Sequence, residues 1–189
     1  MSYAVAIDPA TCTGLALVSY QDSGPPGAVS WGTVSVKDEP RQGWLHHLER
    51  AVLALCLPHE VDPAQVIWLI EDWPRHQSHQ AAVTLARVQQ TWLDLAAQYG
   101  ARAVLVQVMA WQVPTGVNQA ALAAVKGLPK GHHRQETGHR ARKAAAARWA
   151  KATYRLRADL DLPEDVTDAL AMAGWWVTAQ RQRAARLPF

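Results

Sequence analysis

The sequence predicts an α/β layer fold on a mixed sheet, and three observations carry that reading. Residues 3–36 hold three apolar or alternating runs joined by short turns. Two more short apolar runs, 66–70 and 103–108, are separated by a long stretch of helical periodicity. From about residue 135 onward the pattern is helical almost throughout. Three strands, helix, strand, helix, strand and C-terminal helices make one layered domain over residues 1–189, a length that suits a single substantial core.

Each element has a local reason. Residues 3–8 are apolar and end at Asp8, and 9–14 carry the turn formers Pro9 and Gly14. Residues 15–20 form a second strand, and Gly24-Pro25-Pro26-Gly27 marks a hairpin loop. Residues 28–36 alternate through Val29, Trp31, Thr33, Val34 and Val36, so three consecutive strands suggest an antiparallel meander. Over 41–57, Trp44, Leu45, Leu48, Val52 and Leu55 recur at helical spacing, and Pro58 stops the helix. The fully apolar strand 66–70 runs into Glu71-Asp72, as a strand buried on both faces would. Residues 78–99 carry Leu85, Val88, Trp92 and Leu95 on one helical face, and Gly100 closes them. Strand 103–108 then completes a right-handed parallel crossover. Residues 109–134 are broken by Pro114, Gly116, Gly127, Pro129 and Gly131, with a short helix expected over 119–125. A basic helix over 135–154 and a last helix from 164 to about 183 finish the chain.

The net charge of +3 conceals an asymmetry. Residues 1–125 hold 6 Lys/Arg and 10 Asp/Glu, a balance of −4; residues 126–189 hold 13 and 6, a balance of +7. Lys126, Lys130, Arg134, Arg140, Arg142, Lys143, Arg148, Lys151, Arg155 and Arg157 are accompanied over 126–157 by one acid, Glu136. Solvated helix faces mix signs, so such a block is the footprint of a polyanion and points to nucleic acid. His132, His133 and His139 lie in the same block. Without Cys or a fixed ligand spacing they read as part of a polar contact surface rather than a metal tract. Cys12 and Cys56 form no metal-type pair or disulfide framework. No run of about 18 uncharged apolar residues is present, and residues 1–8 lack a basic n-region, so no membrane span or signal peptide is expected. A cytoplasmic protein is the expectation.

Asp165 and Asp168 stand three residues apart and so share one helical face, one turn apart. A helix N-terminus favours acid, and a capped helix start would account for one of them. Asp8 and Glu71 each end an apolar strand, and in α/β sheets ligand sites gather at such ends. Either acid alone reads equally as a turn starter or a strand end. Together with the last helix, four carboxylates can converge. Left alone they would repel and raise one another's pKa. Hard divalent cations with oxygen ligands relieve that repulsion, and two ions about 3.5–4 Å apart suit in-line displacement at phosphorus.

These residues resemble a known family. Ala6-Ile7-Asp8-Pro9, followed after four residues by Gly14-Leu15-Ala16, resembles the first strand and turn of RuvC-like Holliday junction resolvases. Leu69-Ile70-Glu71 is similar to that family's second acidic strand. Asp165-Val166-Thr167-Asp168-Ala169-Leu170-Ala171 is similar to its C-terminal Asp-x-x-Asp-Ala helix. The resemblance spans about residues 3–178. It implies an RNase H-like fold with sheet order 3-2-1-4-5 and a homodimer that uses Mg²⁺ or Mn²⁺, two ions per active site. It implies paired nicks at a four-way DNA junction, leaving 5′-phosphate and 3′-hydroxyl ends. Asp8, Glu71, Asp165 and Asp168 would be the catalytic metal ligands. Lys126, Lys130, Arg134, Arg140, Arg142, Lys143 and Arg148 would contact DNA, with Lys143 or Arg142 nearest the scissile phosphate.

The chain departs from the better-known bacterial pattern in the turn Pro9-Ala10-Thr11 and over 109–134, where no motif stands. A divergent or phage-type member, acting in a bacterial cytoplasm, fits those departures. Trp73 and Trp111 fall near the proposed site as candidates for stacking on a base, or else as core or rim residues. Trp44, Trp92, Trp175 and Trp176 lie on helix faces and read as core or dimer interface. Two alternatives share the fold: a non-catalytic branched-DNA-binding protein, and a nuclease for flaps or RNA–DNA hybrids. An actin-like or sugar-kinase-like nucleotide domain usually needs two such units, and 189 residues are too few for them.

Overall fold

A computed structural model describes residues 1–72 and 79–186. Strands β1 (Ser2–Asp8), β2 (Cys12–Tyr20) and β3 (Gly27–Ser35) form the expected antiparallel meander. Helix α1 (Trp44–Cys56) leads to β4 (Ile67–Asp72), which runs parallel to β1 with Ile7 opposite Ile70. Helix α2 (His79–Gln98) crosses to β5 (Arg102–Gln107), parallel to β4. The five-stranded sheet therefore has the order β3-β2-β1-β4-β5, as expected. Four helices follow: α3 (Val108–Gln112), α4 (Val117–Ala124), α5 (His132–Tyr154) and α6 (Glu164–Ala184).

The boundaries differ from the sequence reading in instructive places. β2 begins at Cys12, three residues early, because Thr13 is buried and its Oγ1 closes the turn by donating to the Ala10 carbonyl at 2.8 Å. The helix over 41–57 is α-helical only in its middle, with a 3₁₀ turn at each end; the second holds Pro58, which stops the regular ladder. The strand at 103–108 ends at Gln107, and α3 follows at once in a segment expected to be irregular. α5 starts at His132, reaching back to Gly131 for its first turn.

Strand periodicity divides the core in two. Val5, Ile7, Leu15, Leu17, Trp68 and Ile70 face α1 and α2, meeting Leu48, Val52, Val88, Trp92 and Leu95. Ala4, Ala6, Ala16 and Leu69 face the other way, onto α6 with α5 packed beside it. Asp8 continues the Ala4–Ala6 face and Glu71 continues that of Leu69, so the alternation alone delivers both acids to the α6 side. That side is lined by small residues, Ala169 and Ala173 among them, which brings α6 close to the sheet. Gly174 serves the same purpose between helices, since a Cβ there would lie 2.8 Å from the Trp149 ring. At the far end, Arg181 donates to the Gln21 and Gly24 carbonyls and ties α6 to the β2–β3 loop.

Candidate active site

Asp8 ends β1, and Glu71 is the penultimate residue of the adjacent parallel strand, so their side chains meet at the C-terminal edge of the sheet. Each is only 4% exposed. The first turn of α6 brings Asp165 and Asp168 over the same edge. Gly14, opposite Asp8 in the β1–β2 ladder, makes that approach possible. A Cβ on Gly14 would lie 2.1 Å from both the Asp165 carbonyl carbon and its oxygen. The helix begins at Pro163 with no side-chain cap hydrogen bond, so neither Asp is a capping residue.

Lys143 reaches in from α5. Its Nζ lies 2.7 Å from Asp168 Oδ2 and 3.9 Å from Asp165 Oδ1. The Lys143 and Asp168 side chains keep only 18% and 15% exposure, so this pair is largely removed from solvent screening. On the other side, Trp111 Nε1 donates to Glu71 Oε1 at 2.7 Å. Gln89 Nε2 donates to the Glu71 carbonyl at 2.9 Å and fixes the backbone beneath it.

The cluster carries more negative charge than its surroundings neutralise. Burial, then the neighbouring charges of Glu71 and Asp168, hold the Asp8 carboxyl well above the usual carboxylate range. Burial pushes Glu71 up to about 7, against the opposing pull of the Trp111 hydrogen bond. Asp168 is raised by burial despite Lys143. Burial works against the Lys143 ammonium, but Asp168, Asp8 and Asp165 together hold its pKa above the usual lysine value.

This donor set suits a hard divalent cation. It consists of carboxylate oxygens alone, the ligands Mg²⁺ and Mn²⁺ prefer. Asp8 Oδ1 is buried without a hydrogen-bond partner, an arrangement that costs about 1–3 kcal/mol unless something else meets the oxygen. Among the described residues, no three His, Cys, Asp or Glu side chains are gathered closely enough to enclose an ion as they stand. The cation at the cluster is the Lys143 ammonium.

The remaining candidates fall into three groups. Lys126, Lys130, Arg140 and Arg148 are exposed along α5 and the loop before it, with Arg140 paired to Glu136. Arg134 and Arg142 are half-buried; Arg134 donates to the Leu128 carbonyl at 2.5 Å and braces the turn before α5. Arg134, Arg142, Lys130 and His139 line an open groove of about 500 Å³ between α4 and α5. Trp111 is fully buried, so it offers no face for base stacking; its place is in the wall of the site. Trp73 lies outside the described residues. Of the other tryptophans, Trp44, Trp92 and Trp176 are core, and Trp175 is half-buried.

Two functional features escaped the sequence reading. The Trp111–Glu71 bond joins residues forty apart across an irregular segment, and no spacing rule signals such a pair. Gly14 stands out in the sequence as a turn residue, but its closeness to Asp165 arises only in three dimensions.

The strand order and flanking helices define an RNase H-like α/β fold. More narrowly, it is the fold of RuvC. No protein-family model matches the chain, and no curated protein matches its sequence. Solved structures do match. RuvC from T. thermophilus in complex with a Holliday junction substrate superposes with a TM-score of 0.65 at 17% identity, covering 97% of this chain and 96% of that one. A second Thermus thermophilus RuvC structure gives 0.64 at 20% identity, with coverages of 95% and 96%. The yeast mitochondrial Holliday junction resolvase Ydc2 gives 0.53 at 11% identity, with coverages of 96% and 81%. No helix among the described residues is long and apolar enough to cross a membrane.

Proposed function

We propose that this protein is a divalent-metal-dependent endonuclease that resolves four-way DNA junctions by paired symmetric nicks, leaving 5′-phosphate and 3′-hydroxyl ends. The observation that carries the reading is the meeting of buried Asp8 and Glu71 with Asp168 and Lys143 at one sheet edge, beside a basic helix, on the fold of RuvC.

Asp8, Glu71, Asp165 and Asp168 would hold two Mg²⁺ or Mn²⁺ ions. When bound, these supply the charge that activates an attacking water and offsets the charge growing on the leaving 3′ oxygen. The protein's own residues do the rest. Lys143, paired with Asp168 in the structure, would with the carboxylates engaged by cations be free to turn its ammonium to a substrate phosphate oxygen and neutralise it. Burial of Asp8 and Glu71 excludes bulk water and strengthens every charge interaction in the cluster. Lys126, Lys130, Arg140, Arg142 and Arg148 bind the DNA backbone and bring the strand to the acids.

A homodimer supplies two sites for two strands, as a two-fold substrate demands. Leu105, Met109 and Val113 leave apolar surface exposed along β5, the edge strand, and α3 after it. Surface of that kind is commonly covered by a partner.

The test is cleavage with Mg²⁺ on a four-way junction, a flap, a duplex and an RNA–DNA hybrid. We expect paired nicks at symmetric positions, confined to the junction. Cutting of the hybrid or flap in preference would replace the junction reading with another RNase H-like activity, and binding without cutting would favour a non-catalytic junction binder.

A further inference from the structure

Trp111, in α3, is fully buried in the α6-side core that also holds Val106, Val117 and Leu170. Buried indole nitrogens usually find an acceptor, although Trp92 Nε1 has none among the described residues. Trp44 and Trp68 satisfy theirs with backbone carbonyls, those of Glu39 and Pro63. Trp111 instead donates to a carboxylate, Glu71 Oε1, at 2.7 Å. A bond of this kind is short and charge-assisted when the acid is ionised. The indole is locked by packing, so it dictates where the carboxylate can lie. Glu71 is held from below as well, through the Gln89 bond to its carbonyl. Its side chain is thus fixed at one oxygen while the carboxylate faces Asp8, whose own Oδ1 lacks a partner.

We propose that Trp111 is a positioning residue for metal binding: its indole N–H holds Glu71 Oε1 and so presents the carboxylate, beside Asp8, to a divalent ion. The inference rests on the metal reading above and adds to it a residue that touches neither metal nor DNA. Partners that orient a metal ligand in this way typically contribute 10–100-fold in affinity.

The test measures Mn²⁺ binding by calorimetry, without DNA, in three proteins. Trp111→Phe keeps a ring but loses the donor. Trp111→His loses volume but keeps an N–H. We expect the Mn²⁺ dissociation constant to rise at least tenfold in Trp111→Phe and less in Trp111→His, although the smaller His costs more thermal stability. Affinity within twofold of wild type in Trp111→Phe, or equal losses in both variants, would overturn the proposal and leave the metal site standing. No Mn²⁺ site in the wild type would overturn both. Should neither variant fold, the wild type decides by NMR. The buried indole N–H resonance displaced by Glu71→Gln must also move on titration with Mg²⁺, and an unmoved resonance would refute the proposal.

Discussion

On the α1–α2 side of the sheet the core is made of large side chains: Val5, Ile7, Leu15, Leu17 and Trp68 below, Leu48 and Trp92 above. On the α6 side the same strands present Ala4, Ala6 and Ala16 to a helix that answers with Ala169 and Ala173. Where the strands meet their helices, larger side chains bury more apolar area each, at roughly 25 cal/mol per Å². The α6 side forgoes that area and gains proximity. A helix lying low on the sheet sets Asp165 and Asp168 over the ends of β1 and β4, where Asp8 and Glu71 emerge. Both sides bury a core, and the α6 side also carries a crowded set of buried carboxylates.

The sharpest way to separate the two roles is to remove a charge. Asp8→Asn is expected to lower the single-turnover cleavage rate with Mg²⁺ by about 10³-fold or more, equivalent to about 4 kcal/mol of transition-state stabilisation. Junction binding, measured by gel shift, should stay within a few fold. The metal-free melting temperature should hold or rise, because a buried, crowded carboxyl has been removed.

Next in size is a matched pair of packing changes. Gly14→Ala sets a methyl group 2.1 Å from the Asp165 backbone and must lift α6 from the sheet. We expect destabilisation of about 1–3 kcal/mol by denaturant titration together with loss of Mn²⁺ binding. Leu48→Ala, on the opposite side, should destabilise by about 2–5 kcal/mol and leave the Mn²⁺ dissociation constant unchanged. Equal effects on metal binding would erase the distinction between the two sides.

Protons probe the same cluster. Glu71 titrates near 7 in the fold against an ordinary value of 4.5, and Asp8 and Asp168 are raised as well. The folded state therefore binds protons more tightly than the unfolded state across that window. Glu71 alone should lower metal-free stability by about 3 kcal/mol as pH rises from about 4.5 to about 7, with Asp8 and Asp168 adding losses in the same direction. Saturating Mg²⁺ should flatten the profile, which chemical denaturation at several pH values would read directly. The smallest effect belongs to the exposed basic residues. Lys130→Ala or Arg148→Ala should weaken junction binding modestly, whatever the DNA sequence. Each should reduce the slope of log affinity against log salt by about 0.9 for every phosphate the side chain neutralises.

Much of this site is legible in the chain. The apolar runs 3–8 and 66–70 end at Asp8 and Glu71 and so set both at the ends of buried strands, and the three-residue spacing sets Asp165 and Asp168 on one helical face. The basic block stands out by charge alone. What stays hidden depends on how elements pack. Lys143 shares its candidacy with Arg142 until α5 lies against α6 and selects it for Asp168. Trp111 reads either as a stacking candidate or as a core or rim residue, and only the five-residue helix that turns it inward decides for the core. The closeness of Gly14 to Asp165 likewise exists only once β2 and α6 are stacked.

The central claim is that the four carboxylates form a site for divalent ions, and crystals grown with Mn²⁺ test it most directly. Anomalous scattering at the manganese edge should show one or two peaks bounded by Asp8, Glu71, Asp165 and Asp168, with the Lys143 ammonium moved away from Asp168. Peaks only elsewhere, or none with Lys143 still seated on Asp168, would contradict it.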